Sequence, residues 1–164
     1  STWFKNRKKD DEEIKRLKLD LAYFFRYIAE ARASDSDILW TCPKECYDML
    51  KSHGYTCVRR IRKDEKLTKA EKKKLECFQP LNAKGTNDFS NRWALAYCYN
   101  MFLNPLFKRF LQHHGITIDE EQFAISCLIQ WIFRGSIRDG KPIILYLPSP
   151  RMRRILQKWM DGEI

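Results

Sequence analysis

Gln130, Arg134 and Arg138 follow one another four residues apart, a spacing that lines them in one row on a continuous helix. Two guanidiniums in line suit a dispersed anionic charge. Each stays ionised at any working pH and offers a planar fork of donors that a lysine lacks. The stretch that carries them, 119–149, reads DEEQFAISCLIQWIFRGSIRDGKPIILYLPS. It opens on Asp119, Glu120 and Glu121, acids at the end of a helix where the backbone dipole favours negative charge. Phe123, Ala124, Cys127, Leu128, Trp131 and Ile132 recur at helical spacing and predict one buried stripe. The chain then turns at Asp139–Gly140 and enters an apolar, β-branched strand ending at Pro148–Ser149. Taken from the residues alone, the arginines either handle an anionic ligand or pair with surface acids such as Asp139.

A second set of candidates lies in the loop NAKGTNDFSNR, 82–92, after the strand candidate CFQPL. Its backbone amides and the side chains of Lys84, Thr86 and Asn87 are suitable donors to phosphate oxygens. Open α/β sheets place ligands in loops of this kind, at the carboxyl ends of strands. Ordinary turns use the same residue types. Upstream, the segment 59–76 holds nine basic residues against four acidic ones, which suits either a solvated surface insertion or a track for a phosphate backbone.

Cys42, Cys46, His53 and Cys57 gather four metal-ligating side chains, but with three, six and three intervening residues they match no common structural zinc pattern. Three of the six cysteines fall within apolar stripes, where the thiol serves as a small hydrophobe. His113 and His114 sit at a helix C-terminus, where positive charge is favoured, and are read as caps.

These candidates need elements to position them. Residues 8–33 form a long helix candidate whose apolar face is Ile14, Leu17, Leu21, Phe24, Phe25 and Ile28. After the turn ARASDSD come a strand DILWTC, a helix PKECYDMLKSH stopped by Gly54, and a strand over 55–58. Strand, helix, strand predicts a βαβ unit over 37–58. Thr68 and Glu71 are spaced as a capping box for a short helix. Further strands are predicted at 77–81, 93–99 and 142–147, with helices opened by Asn104–Pro105 and Ser149–Pro150. The last helix should turn Met152, Ile155, Leu156 and Trp159 inward. About five short strands interleaved with helices make a three-layer α/β domain with a mainly parallel sheet.

At 164 residues, with 44% hydrophobic and 13% aromatic residues, the chain can bury a substantial core and is not globally disordered. The formal charge of +10 and a pI near 9.4 favour a polyanionic partner. No apolar run approaches the roughly 20 residues needed to span a bilayer, and no signal-peptide core opens the chain. A cytoplasmic protein with no membrane partner is expected, and Ser1 in place of Met is expected of a processed or excised segment.

Three stretches are less generic. NAKGTNDFSNRWALAYCYN, QWIFRGSIRDGKPI and YLPSPRMRRILQKW together resemble the C-terminal RecA-like domain of superfamily 2, DEAD/DEAH-type helicases, especially those of phages, plasmids and integrative elements. The resemblance covers roughly residues 38–160. It implies a RecA-like domain over 37–164, with 1–36 as the helix and linker connecting it to a first RecA-like domain. It implies that Asn82, Lys84, Gly85, Thr86 and Asn87 form the motif that contacts the nucleic-acid backbone, with Thr41 at a second contact. It also implies that the Gln130–Arg138 stretch supplies catalytic arginines to a bound nucleoside triphosphate. The family pattern is Gln, then Gly-Arg, then Arg three residues on; here Phe133 replaces the glycine and Arg138 lies four beyond Arg134. Which of the two arginines acts as the finger is therefore open.

The chain has no GxxxxGK[ST] phosphate loop and no DEAD/DEAH-like acid pair. By itself it is not expected to hydrolyse ATP. The resemblance implies ATP and Mg²⁺ only together with the N-terminal RecA-like domain of the same protein, and DNA or RNA as the track. One alternative is a stand-alone basic nucleic-acid-binding module without catalysis. Another is a mobile-element protein that keeps the domain and works by protein contact.

Overall fold

The computed structural model describes residue 4 and residues 7–59, 64–82 and 88–164. Three short apolar runs become strands: Ile38–Thr41 (β1), Ala94–Tyr97 (β2) and Ile144–Tyr146 (β3). They lie side by side in that order, all parallel, with Leu39 opposite Leu95 and Leu95 opposite Leu145. Every residue of β1 and β2 is buried, as expected where helices cover both faces of a parallel sheet.

Successive side chains on a strand point to opposite faces. Ile38, Trp40, Ala94 and Ala96 enter one core with the N-terminal helix, while Leu39, Leu95 and Tyr97 enter a second core with the C-terminal helices. The expected three-layer α/β architecture is present.

A fourth segment extends the sheet beyond β1. The Trp40 N–H donates to the Cys77 carbonyl at 2.9 Å, and the Gln79 N–H donates to the Trp40 carbonyl at 3.0 Å, a parallel bridge centred on Phe78. Across the sheet the order is 77–79, β1, β2, β3. The chain thus moves outward from β1 and then returns across it to β2, which makes a topological switch point.

The βαβ unit expected over 37–58 is not formed. Cys57 pairs antiparallel with Glu76, and the Val58 N–H donates to the Leu75 carbonyl at 2.7 Å. The reason lies in the intervening helix. It is a 3₁₀ turn, Lys44–Cys46, followed by one helical turn, Tyr47–Leu50 (α2). That turn rises only about 6 Å, too little for a parallel crossover. The return to the sheet is delayed until 77–79, after the helix Lys69–Leu75 (α3). The capping box is present: the Thr68 N–H donates to Glu71 Oε2 at 2.8 Å and the Glu71 N–H donates to Thr68 Oγ1 at 3.3 Å.

The N-terminal helix runs over Glu12–Tyr23 (α1), capped by Asp11, whose carboxylate accepts the Glu13 N–H at 2.9 Å. It passes into a π-turn, Phe24–Ile28, in which the Ala29 N–H reaches the Phe24 carbonyl at 2.9 Å. The wider turn changes the helical phase. Phe24 and Phe25 stay buried, but Ile28, expected inward, is 57% exposed.

On the other face pack Glu120–Ile132 (α5) and Pro150–Met160 (α6), reached through Pro105–His113 (α4). Asp119 caps α5 by accepting the Glu121 N–H at 2.7 Å, and Ser149 caps α6 by accepting the Met152 N–H at 3.3 Å. Glu121 joins the two helices through Arg154 at 2.8 Å and Lys158 at 2.9 Å. In α6, Met152 and Ile155 are buried, but Trp159, expected inward, is 42% exposed. His114 acts as a cap, its Nδ1 at 2.8 Å from the Phe110 carbonyl.

Candidate functional site

The row of Gln130, Arg134 and Arg138 requires a helix that continues past residue 138. In the structure α5 stops at Ile132. Ser136 donates its N–H to the Arg92 carbonyl at 2.7 Å, which draws the chain against the start of β2. Residue 135 must pass close to that backbone, and glycine allows it. A new 3₁₀ turn, Ser136–Asp139, then begins and is closed by Gly140 at φ 72°. The row is therefore broken. Gln130 is exposed on the last turn of α5, Arg134 lies beyond its end, and Arg138 is exposed on the separate turn.

Arg134 is half-buried, and its guanidinium donates to two carbonyls: Nη1 to Pro80 at 3.0 Å and Nη2 to Leu81 at 2.9 Å. Trp131, wholly buried, donates its Nε1–H to the Gln79 carbonyl at 3.2 Å. Three successive carbonyls, at 79, 80 and 81, are thereby held by residues about fifty positions further along the chain. Partial burial lowers the Arg134 pKa from its ordinary value, yet a guanidinium in a protein remains a cation.

The two stretches singled out in the sequence do meet. Asn82 is exposed and directly follows the held carbonyls. Lys84, Gly85, Thr86 and Asn87 lie outside the described residues. Thr41, expected at a nucleic-acid contact, is placed wholly in the core at the end of β1, because both faces of that strand are covered. Its carbonyl accepts the Cys98 N–H at 2.9 Å.

Two features escaped the sequence reading. Arg92 is 1% exposed, and its guanidinium donates to the Ile38 carbonyl at 2.7 Å and the Lys74 carbonyl at 3.2 Å. It bolts α3 to the base of β1. A lone arginine between a polar loop and an apolar strand gives no pattern from which this could be read. The second is a cleft of about 440 Å³ at the carboxyl ends of β2 and β3, lined by Tyr99, Asn100, Tyr146 and Ser149 and by Arg16 and Asp20 of α1. Arg151, at the start of α6, holds its rim by donating to the Met101 carbonyl at 2.6 Å, with its guanidinium 4.2 Å from the Phe102 ring.

Among the described residues, no group of three or more His, Cys, Asp or Glu side chains is placed to hold a metal ion. Cys42 and Cys46 are buried core thiols, and burial raises both pKa values, that of Cys46 to about 11. No helix among the described residues is long and apolar enough to cross a membrane.

Residues 1–160 match the family described as the YonV C-terminal Rossmann-like domain. The chain is also 34% identical over 149 residues to the SPbeta prophage-derived protein YonV of Bacillus subtilis (strain 168). That alignment covers 91% of this chain and 31% of the relative, so the chain spans about a third of the relative's length. No solved structure matches.

Proposed function

The chain belongs to the family of YonV C-terminal Rossmann-like domains, and on that premise we propose that it serves as the second RecA-like domain of a nucleic-acid helicase or translocase. One observation carries the reading. Arg134 and Trp131 tie the end of α5 to the carbonyls of residues 79–81, immediately before the loop proposed to contact a phosphate backbone. A link of that kind lets a nucleotide at the α5 end and a strand at the loop sense each other.

In this reading the roles of the two arginines separate. Arg134 is a positioning residue, since its guanidinium holds backbone carbonyls. Arg138, exposed on the adjacent turn, is the arginine that reaches the triphosphate, and Gln130, exposed on the last turn of α5, is the second polar group assigned to the nucleotide. Phosphoryl transfer spreads negative charge over the γ-phosphate oxygens, and an inserted guanidinium stabilises that charge. ATP is the substrate, and Mg²⁺ comes with it on an N-terminal RecA-like domain. Asn82, Lys84, Gly85, Thr86 and Asn87 hold the DNA or RNA backbone, residues 1–36 form the connector, and the protein works in the cytoplasm.

The test is nucleic-acid-stimulated ATP hydrolysis by the longer protein. Arg138→Ala is expected to lower turnover by about 10³-fold or more with nucleic-acid affinity kept. Wild-type turnover in this variant would sink the reading. It would leave the second one, a basic nucleic-acid-binding module without catalysis, which the formal charge of +10 favours.

A further inference from the structure

On the face of the sheet opposite α5 and α6, a long groove runs between the α1 layer and the 48–59 segment, enclosing about 1290 Å³. Sites for small molecules commonly enclose about 300–1,000 Å³. A larger, open trough suits a polymer.

The lining has one dominant charge. Lys9, Lys18, Arg26, Arg32, Lys51 and Arg59 face it, against the two carboxylates Glu30 and Asp48. Lys51 is paired with Asp48 at 2.6 Å, and Arg59 with Glu65. The other four cations make no ion pair among the described residues. Cations that outnumber the carboxylates along one groove repel one another and are favoured where a polyanion covers them.

An aromatic platform stands in the same place. Tyr27 lines the groove with 57% of its surface exposed, and the ring of Tyr23, 58% exposed, lies 5.2 Å away. The Arg26 guanidinium sits 5.3 Å from the centre of the Tyr27 ring. Exposed rings interleaved with arginines are the recognition chemistry of single strands, whose unpaired bases offer free faces for stacking. A duplex keeps those faces covered. An acidic peptide would use the cations and leave the rings idle.

We propose that this groove binds single-stranded nucleic acid, with Lys18, Arg26 and Arg32 on the phosphates and Tyr27 stacked on a base. The site needs neither ATP nor a partner domain, and it lies on the opposite face from the α5 end where the helicase reading places its chemistry.

The experiment is fluorescence anisotropy of the 164-residue chain with labelled oligo(dT), titrated over salt. Each phosphate contact on a single strand contributes about 0.7 to the slope of log K against log salt. The double variant Arg26→Ala/Arg32→Ala should therefore lower the slope by about 1.4. Tyr27→Ala should weaken binding about tenfold at unchanged slope, because stacking releases no counterions. All three side chains are exposed, so circular dichroism should show a wild-type fold.

An unchanged slope in the double variant would overturn the proposal. So would wild-type affinity in Tyr27→Ala, or competition by polyglutamate or phosphatidylserine vesicles as effective as that of unlabelled oligo(dT). Loss of binding in Lys84→Ala alone would remove the groove and leave the helicase reading intact. Wild-type ATP turnover in Arg138→Ala, with binding lost in the groove variants, would do the reverse.

Discussion

A Cβ atom on Gly135 would stand 2.7 Å from the carbonyl oxygen of Arg92, closer than carbon and oxygen approach without bonding. That carbonyl also accepts the Ser136 N–H at 2.7 Å, so the contact is fixed from both sides. Neither partner is a flexible side-chain tip. Gly135→Ala is expected to destabilise the fold by about 1–3 kcal/mol. Thermal unfolding checks it, and an unshifted midpoint would show that the turn can slide away from β2.

Arg134→Ala should free the carbonyls of Pro80 and Leu81 and loosen the chain before the 82–87 loop. Hydrogen bonds to a charged group are each worth about 1.5–3 kcal/mol. The loss is expected as faster trypsin cleavage within that loop, mapped by mass spectrometry, with the rest of the chain protected. Arg134→Lys should restore only part of the protection, since an ammonium lacks the planar fork that reaches both oxygens. Wild-type protection in Arg134→Lys would argue that charge alone, without the fork, holds the carbonyls of Pro80 and Leu81.

Arg92→Met keeps the apolar stem and removes the donors, leaving the carbonyls of Ile38 and Lys74 without their side-chain partner. A cost of about 2–4 kcal/mol is expected in urea unfolding. Comparison with Arg138→Ala, an exposed site, separates the two: that variant should unfold within about 0.5 kcal/mol of wild type.

The core thiols predict an alkaline weakness. Burial pushes Cys46 and Cys77 up to about 11, with Arg92 partly opposing the rise at Cys77. A thiol whose folded pKa exceeds its ordinary 9.0 favours the folded state fully below that value. The contribution is lost as pH rises through the window from 9.0 to about 11. Urea midpoints should therefore fall between about pH 8 and about pH 10. In the folded chain, alkylation should reach Cys57 and Cys127, the two half-buried thiols, well before Cys42, Cys77 and Cys98. Rapid labelling of Cys98 would contradict its placement.

The architecture was legible because its signals are local. The apolar runs 37–42 and 93–99 marked β1 and β2, each longer than the four-residue strand formed, and Asp119, Ser149 and Asn104 announced helix starts that the side-chain bonds bear out. What failed depended on long-range contacts. Arg134 and Arg138 share a helical spacing, but the approach of Gly135 to Arg92 ends the helix between them. The 55–58 run has strand composition, yet its partner was decided by how far α2 could carry the chain. Arg92 is a charged residue in a polar stretch, and only the carbonyls converging on it show that it belongs to the core. For the candidate site, the pairing of the 79–81 carbonyls with Trp131 and Arg134 was hinted at only by the resemblance that set the two stretches together.

The alternation along β2 carries a last consequence. Ala94 and Ala96 face the layer holding Phe24 and Phe25, while Leu95 and Tyr97 face the layer holding Trp131. Sliding β2 by one residue would exchange the two sets. Large side chains would be driven into the already aromatic layer, and two alanines would leave a void beneath Trp131. Both errors are penalised at once, so the central strand acts as a two-sided gauge that rejects misaligned pairings during folding.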